Sequence, residues 1–370
     1  MKMGCSWVCA TSGFWVVLLV LSRLSCSEGQ VVPALFVLGD SIVDVGNNNY
    51  LALSVAKAVL PYYGLDFPTK KPNGRFTNGK NSADFMAEKL GLPSPPPYLA
   101  LISNSSERNN SSLFLTGVSF ASGGAGIFDG NDEKFEQSIP LKDQVGAFVA
   151  VHDNLTQHMG SPGAQQHVAK SLFLFVIGNN DLFDYSKSSD LQKQYTPQQY
   201  VDRMASSLKD QLKRLHSYDA RKFVFAGLPP IGCTPARRNW NETGGCREDQ
   251  NSWARMYNEA LLAMLNGLKS ELNDISYSYL DLYNIVQEFI QNPSAYGFTE
   301  VKAACCGLGN LRAVVPCLPI SEYCPNRRDH LFWDSVHPTE ATHRIFIDKA
   351  FNGSQYTYPM GVHQLAAVET

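Results

Sequence analysis

Five short runs rich in apolar, β-branched and aromatic residues punctuate this chain: Ala34–Leu38, Phe114–Phe120, Leu172–Ile177, Lys222–Ala226 and Ser276–Asp281. They read as nearly continuous segments, the pattern of strands buried on both faces of a parallel sheet. The stretches between them carry a different period. Val201, Met204, Leu208, Leu212 and Leu215 fall at steps of three and four, with Asp202, Lys209, Asp210 and Lys213 on other faces. Trp253, Met256, Leu261, Met264, Leu268 and Leu272 mark a second such stripe. Strands alternating with amphipathic helices imply right-handed crossovers and a doubly wound α/β sheet, mainly parallel and five-stranded. Ligands bind beyond the carboxyl ends of the strands in such sheets.

The first three predicted strands each run into a polar, glycine-bearing turn at that edge. These turns are Gly39-Asp40-Ser41, Ser122-Gly123-Gly124-Ala125-Gly126 and Gly178-Asn179-Asn180-Asp181. Ser41 is the candidate nucleophile, and a serine hydroxyl needs a base to remove its proton during attack. Far along the chain, Asp334 precedes His337 by three residues, and Pro338-Thr339-Glu340 predicts a helix beginning just after the histidine. Asp334 can then reach the ring Nδ1–H and leave Nε2 facing Ser41. Acyl transfer also needs donors for the developing oxyanion. The candidates are the Ser41 backbone N–H, a backbone N–H of Gly123-Gly124 and the Asn180 side-chain amide. Each piece has a bland reading as a turn, a cap or a helix fastener; three converging turns argue against all being bland.

The N-terminus reads as a secretory signal peptide. Lys2 is followed by the apolar core Phe14–Leu21 and by small residues at Ser25, Cys26 and Ser27. A membrane span needs about 20 apolar residues, more than this core offers. Residues 1–27 are therefore expected to be removed, leaving 28–370 as one domain outside the cell or in the wall. Of nine cysteines, Cys5, Cys9 and Cys26 leave with the leader. The six that remain, Cys233, Cys246, Cys305, Cys306, Cys317 and Cys324, read as up to three disulfides. Cys233 and Cys246 bracket a loop, and the other four staple an insertion around residues 292–326. Structural zinc is disfavoured because no C-x-x-C pair is present. Asn104, Asn109, Asn110, Asn154, Asn241 and Asn352 each begin an N-glycosylation triplet. A net charge of −3 without a basic block excludes a nucleic-acid footprint.

Phe36–Asn49 (FVLGDSIVDVGNNN) resembles the first block of the plant GDSL esterases/lipases, within the SGNH hydrolase superfamily. GLDFP at 64–68, GRFTNG at 74–79, FASGGAG at 120–126, IGNND at 177–181 and DSVHP at 334–338 continue the resemblance in family order. It implies a three-layer α/β/α, flavodoxin-like fold with no metal or other cofactor. It also implies Ser41 as nucleophile, Asp334 and His337 completing a triad, and Gly123 and Asn180 joining the Ser41 amide in the oxyanion hole. Ile42 stands for the leucine of the name-giving motif and Ser119 for a common asparagine. The expected partner is an ester substrate (lipid, cutin-like polyester, acetylated polysaccharide or small ester) acted on by a monomer, with no stable membrane span. An acyltransferase using the same acyl-enzyme and a catalytically silent binding protein are the competing readings.

Overall fold

The computed structural model describes residues 30–103, 111–129 and 137–369. The leader and the triplets at Asn104, Asn109 and Asn110 lie outside them. Five strands form the central sheet: β1 (Leu35–Gly39), β2 (Leu172–Val176), β3 (Lys222–Ala226), β4 (Ser276–Leu280) and β5 (Thr357–Tyr358), in that spatial order. The first four pair in parallel, and β5 adds antiparallel at the edge.

Period-two alternation divides the core into two layers. Phe36, Phe173, Phe175, Phe223 and Phe225 face helices Leu141–Lys170, Pro197–Ser217 and Glu248–Glu271. Leu35, Val37, Leu174, Val176 and Val224 face helices Ser82–Lys89, Leu282–Gln291 and Glu340–Asn352. Burying both faces is what makes β1 and β2 read as unbroken apolar runs.

One strand expectation is corrected. Phe114–Phe120 is not a strand; its start is a 3-10 turn, Ser111–Phe114, and only Ser119 forms a bridge to β1. Gly117 has φ +105°, which diverts the chain, and a Cβ there would sit 2.0 Å from the Leu35 carbonyl oxygen. The segment nonetheless runs beside β1. Leu35 and Val37 donate to Thr116 and Val118, and Phe120 and Ser122 donate to Val37 and Gly39. The chain thus crosses to one side of β1 and then returns to the other. That reversal makes the end of β1 a topological switch point, where a ligand crevice is expected.

The insertion is stapled by Cys305–Cys324 and Cys306–Cys317, and Cys233 is bonded to Cys246. Short pairings support it: Glu300–Ala304 with His330–Phe332, and Cys306–Gly307 with Glu322–Tyr323. Among the described residues no helix is long and apolar enough to cross a membrane. Of the described glycosylation candidates, Asn352 is exposed at a helix end, Asn154 has its amide oxygen buried, and the Asn241 amide donates to Gly245 and Cys246.

Candidate active site

Ser41 sits in the turn that follows β1, and this turn is fixed from both sides. The Gln144 amide imitates a strand: its Oε1 accepts from Gly39 N–H at 2.8 Å and its Nε2 donates to Gly39 O at 2.9 Å. Asp40 accepts from the Ile42 N–H and the Asn179 amide, both at 3.0 Å. Burial pushes the Asp40 carboxyl up to about 6 against those hydrogen bonds. With its neighbours held, Ser41 is left to point at the crevice.

The Ser41 hydroxyl lies 2.8 Å from His337 Nε2. His337 Nδ1 lies 2.8 and 2.9 Å from the two Asp334 oxygens. Asp334 Oδ1 also accepts from the Val336 and His337 N–H groups, which makes the D-x-x-H spacing a closed turn. Its Oδ2 accepts from the Tyr63 hydroxyl at 2.7 Å. Burial would raise the Asp334 carboxyl; the neighbouring His337 and these N–H donors outweigh it and hold it below the ordinary carboxylate range. The Phe76 ring lies against the imidazole, centroids 5.0 Å apart.

The helix after His337 starts later than the proline suggested. Thr339 is the N-cap, its hydroxyl accepting from Thr342 N–H, and the helix runs Glu340–Asn352. Pro338 instead bridges Phe332, which keeps His337 in extended chain.

One of the expected donors is already occupied. The Gly123 N–H is taken by Asp44 Oδ2 at 3.0 Å, so it is not free for an oxyanion. Gly124 lines the cavity, and its φ of +83° is a conformation that glycine adopts without strain. No backbone acceptor among the described residues takes the N–H of Gly124 or Ser41. The Asn180 amide donates one N–H to Ala125 O at 2.9 Å, which orients the other. The site is therefore Ser41, Gly124 and Asn180 facing one space, with His337 beside them.

Sequence reasoning gave no role to the groups that assemble these turns. Asp44 accepts from Gly46, Asn47 and Gly123, and Asn47 donates to Ser119 and Ala121. Asn48 donates to Ala56 and Gly123. The run VGNNN is thus a clasp between two turns, a signal present in the sequence as an unusual density of amides. None of Cys305, Cys306, Cys317 and Cys324 lines the cavity; they pack on Trp333 and, with Tyr62 and Tyr63, back the Asp334 loop.

The cavity at Ser41 has a volume of about 360 Å³ and a mostly apolar lining that includes Ile42, Val176, Leu282, Leu331 and Phe346. That suits a hydrocarbon portion next to a polar reacting centre.

A second serine–histidine contact exists, Ser82 Oγ with His343 Nδ1 at 2.8 Å, but both residues are buried between two helices. Burial pushes His343 down to about 3 from an ordinary 6.5. The unfolded chain therefore takes up the proton first as pH falls through that window, and the native state loses up to about 1.4 kcal/mol per pH unit there. His343→Gln should lose less stability than the parent between about pH 7 and about pH 4, read as urea midpoints. Equal losses would refute a buried neutral imidazole.

A family model described as GDSL-like lipase/acylhydrolase matches residues 35–350. A GDSL esterase/lipase of Arabidopsis thaliana is 49% identical over 350 residues, covering 93% of each chain. A second from the same plant is 36% identical, covering 90% of this chain and 93% of its own. Among solved structures, a catalytic mutant of an acetylxylan esterase from Geobacillus stearothermophilus aligns with a TM-score of 0.40 at 12% identity, over 91% of this chain and 95% of that one.

Proposed function

Because the chain belongs to the GDSL esterase/lipase family of carboxylic ester hydrolases, we propose that it is a secreted serine esterase whose triad is Ser41, His337 and Asp334. His337 takes the Ser41 proton as Oγ attacks the ester carbonyl, and the tetrahedral oxygen is held by the N–H groups of Ser41 and Gly124 and the Asn180 amide. Collapse expels the alcohol, which receives its proton from His337. Water activated by the same ring then releases the acid, and Asp334 stabilises the imidazolium without taking its proton.

The observation that carries this reading is the 2.8 Å contact between Ser41 and His337, which lie 296 residues apart in sequence. Secretion with loss of residues 1–27 and one domain over 28–370 are part of the proposal, supported by three disulfides. The apolar cavity favours acyl chains over bare acetyl groups, which puts lipid or wall polyesters ahead of acetylated sugars. Serine-directed labelling tests the chemistry. A fluorophosphonate should inactivate the enzyme in step with one adduct, located on the peptide containing Ser41. An adduct on another serine, or full turnover without any adduct, would defeat the assignment.

A further inference from the structure

The lining of the cavity that opens at Ser41 has two unlike parts. Leu282, Val286, Leu331 and Phe346 belong to one apolar cluster, and Phe183, Lys187, Arg237 and Trp240 form a second, cationic and aromatic part. Arg237 is only 4% exposed. Its guanidinium carbon lies over the rings of both Phe183 and Trp240, 4.6 Å from each centroid. Aromatic rings pack on a guanidinium without taking its in-plane N–H donors. Among the described residues it has no ion pair or side-chain hydrogen bond. Burial pushes it down to about 10, Arg247 adds to that, and Asp249 and Asp184 oppose it from a distance. A desolvated guanidinium with no anion in direct contact is costly, and here it borders open space.

Its place in the cavity gives a direction. Arg237 belongs to the short helix Pro235–Asn239, whose Ala236 N–H donates to Ser335 O at 2.9 Å. That bond docks the helix on the loop holding Asp334 and His337. The Cys233–Cys246 disulfide closes the same excursion. Arg237 is therefore tied to the loop that carries His337, the group that protonates the departing alcohol.

We infer that Arg237 is a specificity residue that receives an anionic group, phosphate or carboxylate, on the alcohol part of the ester, while the acyl chain fills the apolar part of the cavity. The planar fork of arginine suits bidentate binding of either oxyanion. This role presupposes the esterase chemistry at Ser41.

The test compares octanoate esters in matched pairs: glycerol against glycerol 3-phosphate, and ethanol against glycolate. The readout is the ratio of kcat/KM for the anionic over the neutral member. The wild type should give a ratio of about tenfold or more for at least one pair, as one charge-assisted contact provides. Arg237→Gln should bring that ratio close to one, and Arg237→Lys should keep part of it. A wild-type ratio at or below one for both pairs, or a ratio that Arg237→Gln does not move, overturns the inference. The latter is the outcome if Arg237 merely packs the loop. Should Arg237→Gln fail to fold, octyl phosphate and octyl carboxylate are compared with octanol as inhibitors of the wild type. At least one anion must inhibit at roughly tenfold lower concentration, and equal potency of all three refutes the role. If even neutral esters are not turned over, the Ser41 chemistry fails by itself, and calorimetric binding of octyl phosphate to wild type still decides for or against Arg237.

Discussion

Replacing Ser41 by alanine is expected to lower kcat on a neutral octanoate ester by on the order of 10⁶-fold, with the fold unchanged. The magnitude follows from how serine hydrolases lose their nucleophile: members of a triad act as a unit, so removing one forfeits nearly all that they jointly supply. The prediction that folding survives comes from the local contacts. The Ser41 side chain is half-buried, and among the described residues its hydroxyl bonds only to the His337 ring, which borders the cavity and can turn to water. The turn itself is held by Asp40, Asn179 and Gln144, all untouched by the substitution. Stability should shift by no more than about 0.5 kcal/mol, the usual scale away from buried features. Stopped assays with purified protein, paired with a thermal melt, give both numbers. Turnover within tenfold of the parent, in a variant that melts normally, would remove Ser41 from the mechanism.

The parts of this protein that could be read in its sequence are those whose physics is local. β1 to β3 announce themselves because a strand buried on both faces is largely apolar, and β4 does so by its aromatic period of two, Tyr277 and Tyr279. β5 could not be seen: Thr357–Tyr358 is two residues long and has no period to detect. Phe114–Phe120 carries the same composition as a strand and lies where one would lie, but Gly117 turns the backbone away from a regular ladder. The same division holds at the site. Asp334 and His337 are legible together because the turn that joins them is made by the carboxylate accepting from N–H groups two and three residues on. The choice between Gly123 and Gly124 is not local. It depends on Asp44, remote in sequence, claiming one of two adjacent N–H groups. An even number of cysteines signals disulfides, yet the pairing is set by which short strands meet, Cys306–Gly307 with Glu322–Tyr323. Arg237 carried no pattern at all; only its tertiary contacts with Phe183 and Trp240 distinguish it from other arginines.

Asp334→Asn should be almost as damaging as losing the nucleophile, for a reason that concerns one proton. In the parent, the carboxylate accepts from the ring Nδ1–H, which leaves Nε2 unprotonated to receive the serine proton. Asparagine keeps the shape and one acceptor. Oδ1 can still accept from the Val336 and His337 N–H groups, so the turn persists. The second position becomes an NH₂ group that donates toward Nδ1, and it can no longer accept the Tyr63 hydroxyl. A donor facing Nδ1 favours the tautomer with hydrogen on Nε2, where the ring cannot act as base. Loss of the negative charge also removes what stabilises the imidazolium during attack. Together these cost on the order of 10⁴-fold in kcat, with KM changed far less because Asp334 does not line the cavity. The pH profile separates this from simple misfolding. Asp334 is held below the ordinary carboxylate range and stays ionised through mildly acidic conditions, so its protonation sets no acid limit there. The variant should therefore be depressed at every pH from about 5 to about 8, without acquiring a new acid limb. A loss confined to acidic solution, or one smaller than tenfold, would mean that the Asp334–His337 bond fastens the loop and takes no part in catalysis.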